Sequence, residues 1–252
     1  MSISREKLHR ILNDLLQPQF IPDGCPNGLQ IEGKDEIHKI VTGVTASQAL
    51  IDKAIDLKAD ALFVHHGYFW KGEDACLTGM KKQRIASLLK HDINLFAYHL
   101  PLDVHPELGN NVQLAKLLGI EHIENLESGK LSIALKGRFA APLTPVALAE
   151  RLKQVLGKTP LLEQVQKPLI STVAWCTGGG QKYIDLAASQ GIDAFITGEV
   201  SEQTIHSARE MNIHFYAAGH HATERYGAKA VGEYLAKHHD VDVEFVDIAN
   251  PA

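Results

Sequence analysis

The sequence predicts an α/β fold built from two related halves. Short apolar runs that are typical of buried strands alternate with segments of helical spacing, as in IVTGVTAS at residues 40–47 followed by a helical pattern over 48–57. A strand, a helix and a second strand in that order form a βαβ unit, which implies a parallel sheet. The same order returns after about residue 170. Alternation and recurrence together predict the fold class.

The first half begins with an amphipathic helix, MSISREKLHRILNDLL. A Pro- and Gly-rich segment at residues 22–33 follows, and its turn chemistry makes it either a connecting loop or a wall of a site. Thr45 or Ser47 is expected to cap the helix that follows the first strand. Further strands are expected at residues 61–64 and in INLFAY, and further helices at residues 80–90 and Asn110–Leu118.

The second half is expected to repeat the first. Residues 124–167 change character, with the strand-like KLSIALKGRFA from residue 130 and the helix PVALAERLKQVL after Pro145. At one constant offset, later residues then match earlier ones, among them Gln48 with Gln181 and Asp60 with Asp193. We therefore expect two related α/β domains, residues 1–125 and 126–252, that form an internal pseudo-repeat. The alternative is that any two βαβ units look alike.

The composition is that of an ordinary globular protein. Hydrophobic residues make up 45% and charged residues 22%, and the net charge of −5 provides no basic surface for nucleic acid. A nucleotide is not excluded, because metal ions could meet its phosphates. Cys25, Cys76 and Cys176 are odd in number and lack CxxC spacing, which indicates reduced thiols. With no signal peptide and no apolar run of about 20 residues, we expect a cytoplasmic protein that does not enter membranes.

Three polar strand ends carry the candidate chemistry. ALFVHHG ends on His65 and His66, YHLPLD supplies Asp103, and AAGHHATE supplies His220 and Glu224. Ligands in open α/β sheets bind beyond the carboxyl ends of the strands, so these side chains are candidates for one site. Each has a plainer interpretation, since single histidines are commonly structural and an HxxxE pair is commonly a surface pair. Three such ends in one chain favour a metal site.

The spacing within these ends is compatible with metal binding. His220 and Glu224 are four residues apart on a predicted helix and therefore share one face, whereas His221 points about a quarter turn away. Successive strand residues point to opposite faces, so His65 and its neighbour can serve one centre only if the chain leaves the strand there, which Gly67 permits.

Ligand counting favours two ions. Three imidazoles and two carboxylates overfill one tetrahedral ion, but with bridging carboxylates they suit two divalent ions about 3.5–4 Å apart that keep open positions. Nitrogen and oxygen donors fit Zn, Mn, Fe or Ni and do not distinguish among them.

Two other segments are candidates for substrate contacts. CTGGGQ, at residues 176–181, is either a tight strand-to-helix turn or an anion-binding loop, and it lacks the GxxxxGK[ST] pattern. No GxSxG elbow is present for a serine nucleophile. Tyr68 and Trp70, with the intervening Phe69, either stack on a planar base or cover the cleft.

Several motifs in one order resemble the Nif-three-like family of GTP cyclohydrolase I type 2 homologues. They are VTGVTASQAL, VHHGYFWKG, HLPLDVHPELGNN, WCTGGGQ, ITGEVSEQTIHSARE and AAGHHATERYG. The resemblance covers nearly the whole chain. It implies two related α/β domains, a dinuclear metal centre in the cleft between them and a toroidal homohexamer. The ligands that it implies are His65, His66, Asp103, His220 and Glu224.

The resemblance also implies a reaction. A metal-bound hydroxide would attack C8 of guanine and open the imidazole ring of GTP, with His99 as the proton shuttle. Glu199 is a candidate for the acid or for a residue that supports a ligand. Two alternatives remain open: a metal-binding regulatory or interaction protein without turnover, and a nucleotide phosphoesterase.

Overall fold

The structure is a computed structural model that describes residues 2–129 and 131–252. The strands in these residues are β1 (Ile3–Ser4), β2 (Gly28–Ile31), β3 (Glu36–Ile37), β4 (Lys39–Thr45), β5 (Ala61–His66), β6 (Asn94–Ala97), β7 (Ile120–Asn125), β8 (Leu135–Leu143), β9 (Leu161–Glu163), β10 (Ile170–Cys176), β11 (Ala194–Thr197), β12 (His214–Ala217) and β13 (Asp242–Phe245). The helices are α1 (Arg5–Leu16), α2 (Gln48–Asp56), α3 (Gly79–Lys90), α4 (Leu100–Val104), α5 (Asn110–Leu118), α6 (Pro145–Leu156), α7 (Ile184–Ser189), α8 (Glu202–Glu210) and α9 (His220–His238).

The first of two compact units contains the chain up to Leu108 together with Gly227–Ala249. Its five-stranded sheet has the order β13-β4-β5-β6-β2, in which the first four strands are parallel and β2 is antiparallel to β6. Apolar residues of α1 and α9 pack against one face of the sheet, and those of α2 and α3 pack against the other. Because both faces are buried, the central strands are continuous apolar runs.

The second unit contains Gly109–Tyr226 and Asn250–Ala252. Its sheet has the order β7-β8-β10-β11-β12-β9, with β10, β11 and β12 parallel and the outer strands antiparallel to their neighbours. Helices α5 and α6 pack in one core cluster, and α7 and α8 pack in another.

The two units share one arrangement, as the recurrence in the sequence predicts. In each, three consecutive parallel strands end at an antiparallel edge strand: β4-β5-β6 with β2, and β10-β11-β12 with β9. Both units are α/β, and the fold class predicted from the sequence is confirmed.

Matching aspartates occupy equivalent places in the two units. Asp60 precedes β5, accepts hydrogen bonds from two backbone amides at the start of β4 and pairs with Lys34 at 2.6 Å. Asp193 precedes β11, accepts from two backbone amides in β10 and pairs with Lys167 at 3.5 Å. The alignment of these two residues in the sequence therefore extends to their hydrogen bonding.

The division of the chain differs from the expected boundary at residue 125 in two segments. Residues 109–125, which form α5 and β7, belong to the second unit because β7 pairs with β8. Residues 227–249 return to the first unit because β13 pairs with β4. The chain passes from the second unit to the first within α9.

Local differences from the expected elements are small. The first helix begins at Arg5, after a short strand, and Ser4 caps it; Met1 lies outside the described residues. Ser47 rather than Thr45 caps α2. The strand expected from residue 130 begins at Leu135, because the residues just before it form a bend, and Lys130 lies outside the described residues.

Among the helices of the described residues, we find none that combines the length and the apolar composition needed to cross a membrane.

Candidate functional site

Three imidazoles meet at the carboxyl ends of β5 and β6 in the first unit. His65 and His66 are the last residues of β5, and His99 lies two residues beyond β6. One ring nitrogen of each lies within 4.8 Å of the others. The two strands are parallel neighbours, so their ends reach the same edge of the sheet. The histidine pair expected at the end of β5 and the proton shuttle expected at His99 thus lie on one side of this unit.

His65 is fully buried, and both of its ring nitrogens have polar neighbours. Its Nδ1 lies 3.1 Å from the carbonyl oxygen of Tyr98, and its Nε2 lies 3.5 Å from Oδ1 of Asp103. A carbonyl can only accept, so Nδ1 carries the proton in the neutral ring and Nε2 presents a lone pair. An imidazole lone pair and a buried carboxylate oxygen that face each other are the donors that a divalent cation requires.

The other two imidazoles of this unit are also held through Nδ1. His66 Nδ1 lies 3.2 Å from Oγ1 of Thr45, and His99 Nδ1 lies 2.8 Å from Oδ1 of Asp23. Partners of this kind fix the direction of metal-binding histidines in proteins. Asp23 was not among the residues expected from the sequence; its only signal was its place in the segment considered as a wall of a site.

Gly67 was expected to let the chain leave the strand after the histidine pair, but its role in the structure is different. It does not have a positive φ. A Cβ there would lie 2.2 Å from Oε1 of Gln30 and 2.6 Å from Cβ of Ala97. Glycine is therefore needed for close packing after the histidine pair rather than for an unusual backbone angle.

The second unit holds a cluster at the start of α9. His220 Nε2 lies 3.1 Å from Oε2 of Glu224, and its Nδ1 donates to Oε1 of Glu199 at 2.7 Å. The hydrogen bond to Glu224 raises the pKa of His220 to about 9; burial opposes this, and Glu199 reinforces it. The hydrogen bond from His220 in turn lowers the pKa of Glu199. This unit therefore presents an imidazole between two carboxylates.

The CTGGGQ segment forms a tight turn beside this cluster. Gly178 has φ +66°, and a Cβ there would lie 2.0 Å from Oε1 of Glu224. The amide of Gly178 donates to Oγ1 of Thr223, and that of Gly180 donates to Oγ1 of Thr197, both at 3.0 Å. These amides are used within the fold, which supports the tight-turn interpretation over the anion-binding one.

The two aromatic candidates differ in accessibility. Tyr68 is 5% exposed, and its hydroxyl donates to the carbonyl of Ala46 at 2.6 Å. Its ring packs in the core, which contradicts the expected role in stacking on a substrate. Trp70 is half-buried, and its ring lies edge-on to His99 with centroids 4.8 Å apart. Trp70 alone of the pair remains a candidate for substrate contact.

The chemistry of the donors fits a divalent metal in each cluster. The donors are imidazole nitrogens and carboxylate oxygens, which suit Zn, Mn, Fe or Ni. Cys25 lies near His99, but burial raises the pKa of its thiol to about 12, so it stays protonated and is a poor ligand. The residues present therefore match the metal-binding expectation without a thiolate.

The fold and these clusters define a class: an α/β protein of two units whose His, Asp and Glu groups can bind metal ions. The chain belongs to the DUF34/NIF3 family, since the family profile described as Duf34/NIF3 (NGG1p interacting factor 3) matches residues 3–251.

Relatives cover almost the whole chain. A protein of Pasteurella multocida named GTP cyclohydrolase 1 type 2 homolog is 63% identical over 98% of each chain. A protein of Vibrio cholerae with the same name is 61% identical over 97% of this chain and 98% of its own. A solved structure described as protein ybgI of unknown function has a TM-score of 0.96 and 54% identity, over 99% of this chain and 100% of its own.

Proposed function

We propose that the chain is a dinuclear metal-dependent hydrolase that acts on a nucleotide-like substrate. The ligands would be His65, His66 and Asp103 from the first unit and His220 and Glu224 from the second. One observation carries the proposal. A hydrogen-bond partner holds Nδ1 in each of the three histidines of this ligand set, and a carboxylate lies near Nε2 of His65 and of His220.

Donor counting supports two ions held by the whole ligand set. Within the proposed set, the first unit supplies two imidazoles and one carboxylate, and the second supplies one of each. Neither the three donors of the first unit nor the two donors of the second would fill the coordination of two ions. Together, these five side chains would hold two ions and leave positions open for water and substrate.

The two ions would supply Lewis acidity and lower the pKa of water at the site. The chain's own residues would orient and protect the reaction. Since Asp23 holds Nδ1 of His99, the Nε2 atom is the one that would move a proton to or from the substrate. The lowered pKa of Glu199 favours a carboxylate that orients His220 over a proton-donating acid. Trp70 would form a wall for a planar base.

The reaction that we propose is the opening of the imidazole ring of GTP. Water adds to C8 of the guanine, the ring C–N bond breaks, and a second hydrolysis releases formate. The names of the relatives from Pasteurella multocida and Vibrio cholerae support this choice of substrate.

Formate detection after incubation with GTP tests the proposal. We expect formate from the wild type and from His91→Ala, which removes a histidine at the exposed end of α3, but none from His65→Ala. Metal binding without any formate would refute ring opening.

Two other functions are distinct outcomes of the same experiment. Release of phosphate without formate would identify a nucleotide phosphoesterase. Bound metal with no loss of nucleotide would favour a regulatory or interaction protein, a role to which the family description, NGG1p interacting factor 3, points.

We also propose that the chain forms a cytoplasmic homohexamer. The resemblance of its motifs to the family supports the hexamer, and the unpaired cysteines support a reducing compartment. Light scattering coupled to gel filtration tests the assembly: a mass near that of one chain would contradict it.

A further inference from the structure

A buried carboxylate outside the proposed ligand set holds one of the central imidazoles. Asp23 lies in the loop before β2, and its side chain is 3% exposed. Its Oδ1 accepts from the amide of Gly24 at 2.6 Å and from Nδ1 of His99 at 2.8 Å. Its Oδ2 accepts from the side chain of Asn27 at 3.0 Å and from the amide of Leu100 at 2.9 Å. Both oxygens are therefore engaged.

These contacts keep Asp23 ionised. Burial would by itself raise the pKa of this carboxyl, but the hydrogen bonds from His99, Asn27 and Leu100 outweigh burial and lower the pKa. An ionised carboxylate can only accept, so the ring nitrogen that faces it must carry a proton.

The loop also fixes the backbone that carries His99. The side chain of Asn27 accepts from the amide of His99 at 2.7 Å, while Asp23 binds the next amide. Both the ring and the backbone of His99 are thus tied to one loop, 72 to 77 residues away in the sequence. This restrains the direction of the ring as well as its protonation.

We propose that Asp23 is a positioning residue: it fixes His99 in the Nδ1–H tautomer, so that Nε2 of His99 is a proton acceptor beside His65 and His66. The proposal rests on the proposed metal centre, and it adds a residue that the ligand set does not contain. A change of tautomer would place a proton on Nε2, and that nitrogen could then no longer accept.

The same residues do not make a separate metal site. Asp23, Cys25 and His99 have ligand atoms within 4.8 Å of one another. However, both oxygens of the carboxylate accept two hydrogen bonds each, and the thiol of Cys25 is protonated because its pKa is raised to about 12. Positioning of the imidazole explains this cluster better than coordination does.

The test is ¹⁵N NMR of the ring nitrogens in the metal-free, full-length protein at alkaline pH, with His99 assigned by comparison with His99→Gln. We expect the Nδ1–H tautomer in the wild type. In Asp23→Asn the amide can donate to Nδ1, so we expect a shift towards the Nε2–H tautomer. Asp56→Asn removes the same charge from the exposed end of α2 and is expected to leave the tautomer unchanged.

Zinc titration calorimetry provides the second readout. Because His99 is outside the proposed ligand set, we expect Asp23→Asn to bind Zn²⁺ as tightly as the wild type, whereas a loss of zinc affinity would assign Asp23 to support of the metal ligands and overturn its role at His99. Asp56→Asn should bind as the wild type does.

The outcomes separate this inference from the proposed function. An Nε2–H tautomer in the wild type would overturn the role of Asp23, even if Asp23→Asn does not fold. An unchanged tautomer in a folded Asp23→Asn would also overturn it. A wild type that shows the Nδ1–H tautomer but binds no metal would refute the proposed metal centre and still support the positioning of His99 by Asp23.

Discussion

Replacement of Gly178 by alanine should weaken metal binding strongly, while the loss of stability should be no more than the cost of alanine at a positive φ. A Cβ at this position would lie 2.0 Å from Oε1 of Glu224 and 3.1 Å from Nε2 of His220. Contacts under 3.0 Å do not persist, so the carboxylate would have to move by about 1 Å. The end of a glutamate side chain can move at small energetic cost, but it would leave its position as a ligand.

The magnitude can be divided into two parts. The left-handed backbone of Gly178 costs alanine about 1–2 kcal/mol, which corresponds to a fall in Tm of about 2–8 °C for a chain of this size. Displacement of Glu224 should lower the metal affinity by about 10–100-fold or more, since this is the loss seen when residues that only support a ligand are replaced. Thermal unfolding of the metal-free protein and metal titration measure the two parts separately.

Gly157→Ala is the matched control. Gly157 has φ +70°, close to the +66° of Gly178, and a Cβ there would meet no heavy atom within 4 Å. We expect a similar fall in Tm and normal metal binding. If Gly178→Ala bound metal as tightly as the wild type, Glu224 would not be a ligand in this arrangement. Equal loss of metal in both variants would assign the effect to backbone strain.

Three further predictions concern stability, ligand support and substrate contact. Burial opposes ionisation of Asp60, but Lys34 and two backbone amides lower its pKa; its stabilising effect is therefore present above the ordinary carboxyl pKa of about 4 and is lost as pH falls through the folded value. Asp60→Asn should lower the free energy of unfolding by about 1–3 kcal/mol at neutral pH. In urea unfolding, the difference in this free energy between wild type and variant should become smaller in acid, and a difference that does not change with pH would contradict this. Glu199→Gln should lower metal affinity about 10–100-fold by releasing His220, whereas unchanged affinity in calorimetry would exclude that role. Trp70→Ala should weaken nucleotide binding by about 1–3 kcal/mol at unchanged metal content, and equal nucleotide affinity would remove this residue from the substrate site.

The sequence predicted the architecture well where local patterns carry it. Central strands such as β4 and β5 are buried on both faces and are therefore continuous apolar runs, which a reader of the sequence can recognise. His65 and His66 could be proposed as ligands because they directly follow such a run. His220 and Glu224 could be proposed because their spacing places them on one helical face.

Features that depend on distant contacts could not be predicted in this way. Asp23 contacts His99 across 76 residues, and no local pattern links the two. Strand β13 is short and joins β4 of the first unit, so the boundary near residue 125 could not account for it. Tyr68 lies in a run of aromatic residues that suggests a ligand-binding surface. Its hydroxyl, however, donates to the buried carbonyl of Ala46, and its ring packs in the core.

The proposal that the His, Asp and Glu side chains of the ligand set bind two metal ions is tested by elemental analysis of protein purified without chelator. We predict about two ions per chain in the wild type and in His91→Ala. His65→Ala and His220→Ala each remove one proposed ligand, and each should lose bound metal. A wild type without metal, or both variants with their full metal content, would contradict the account.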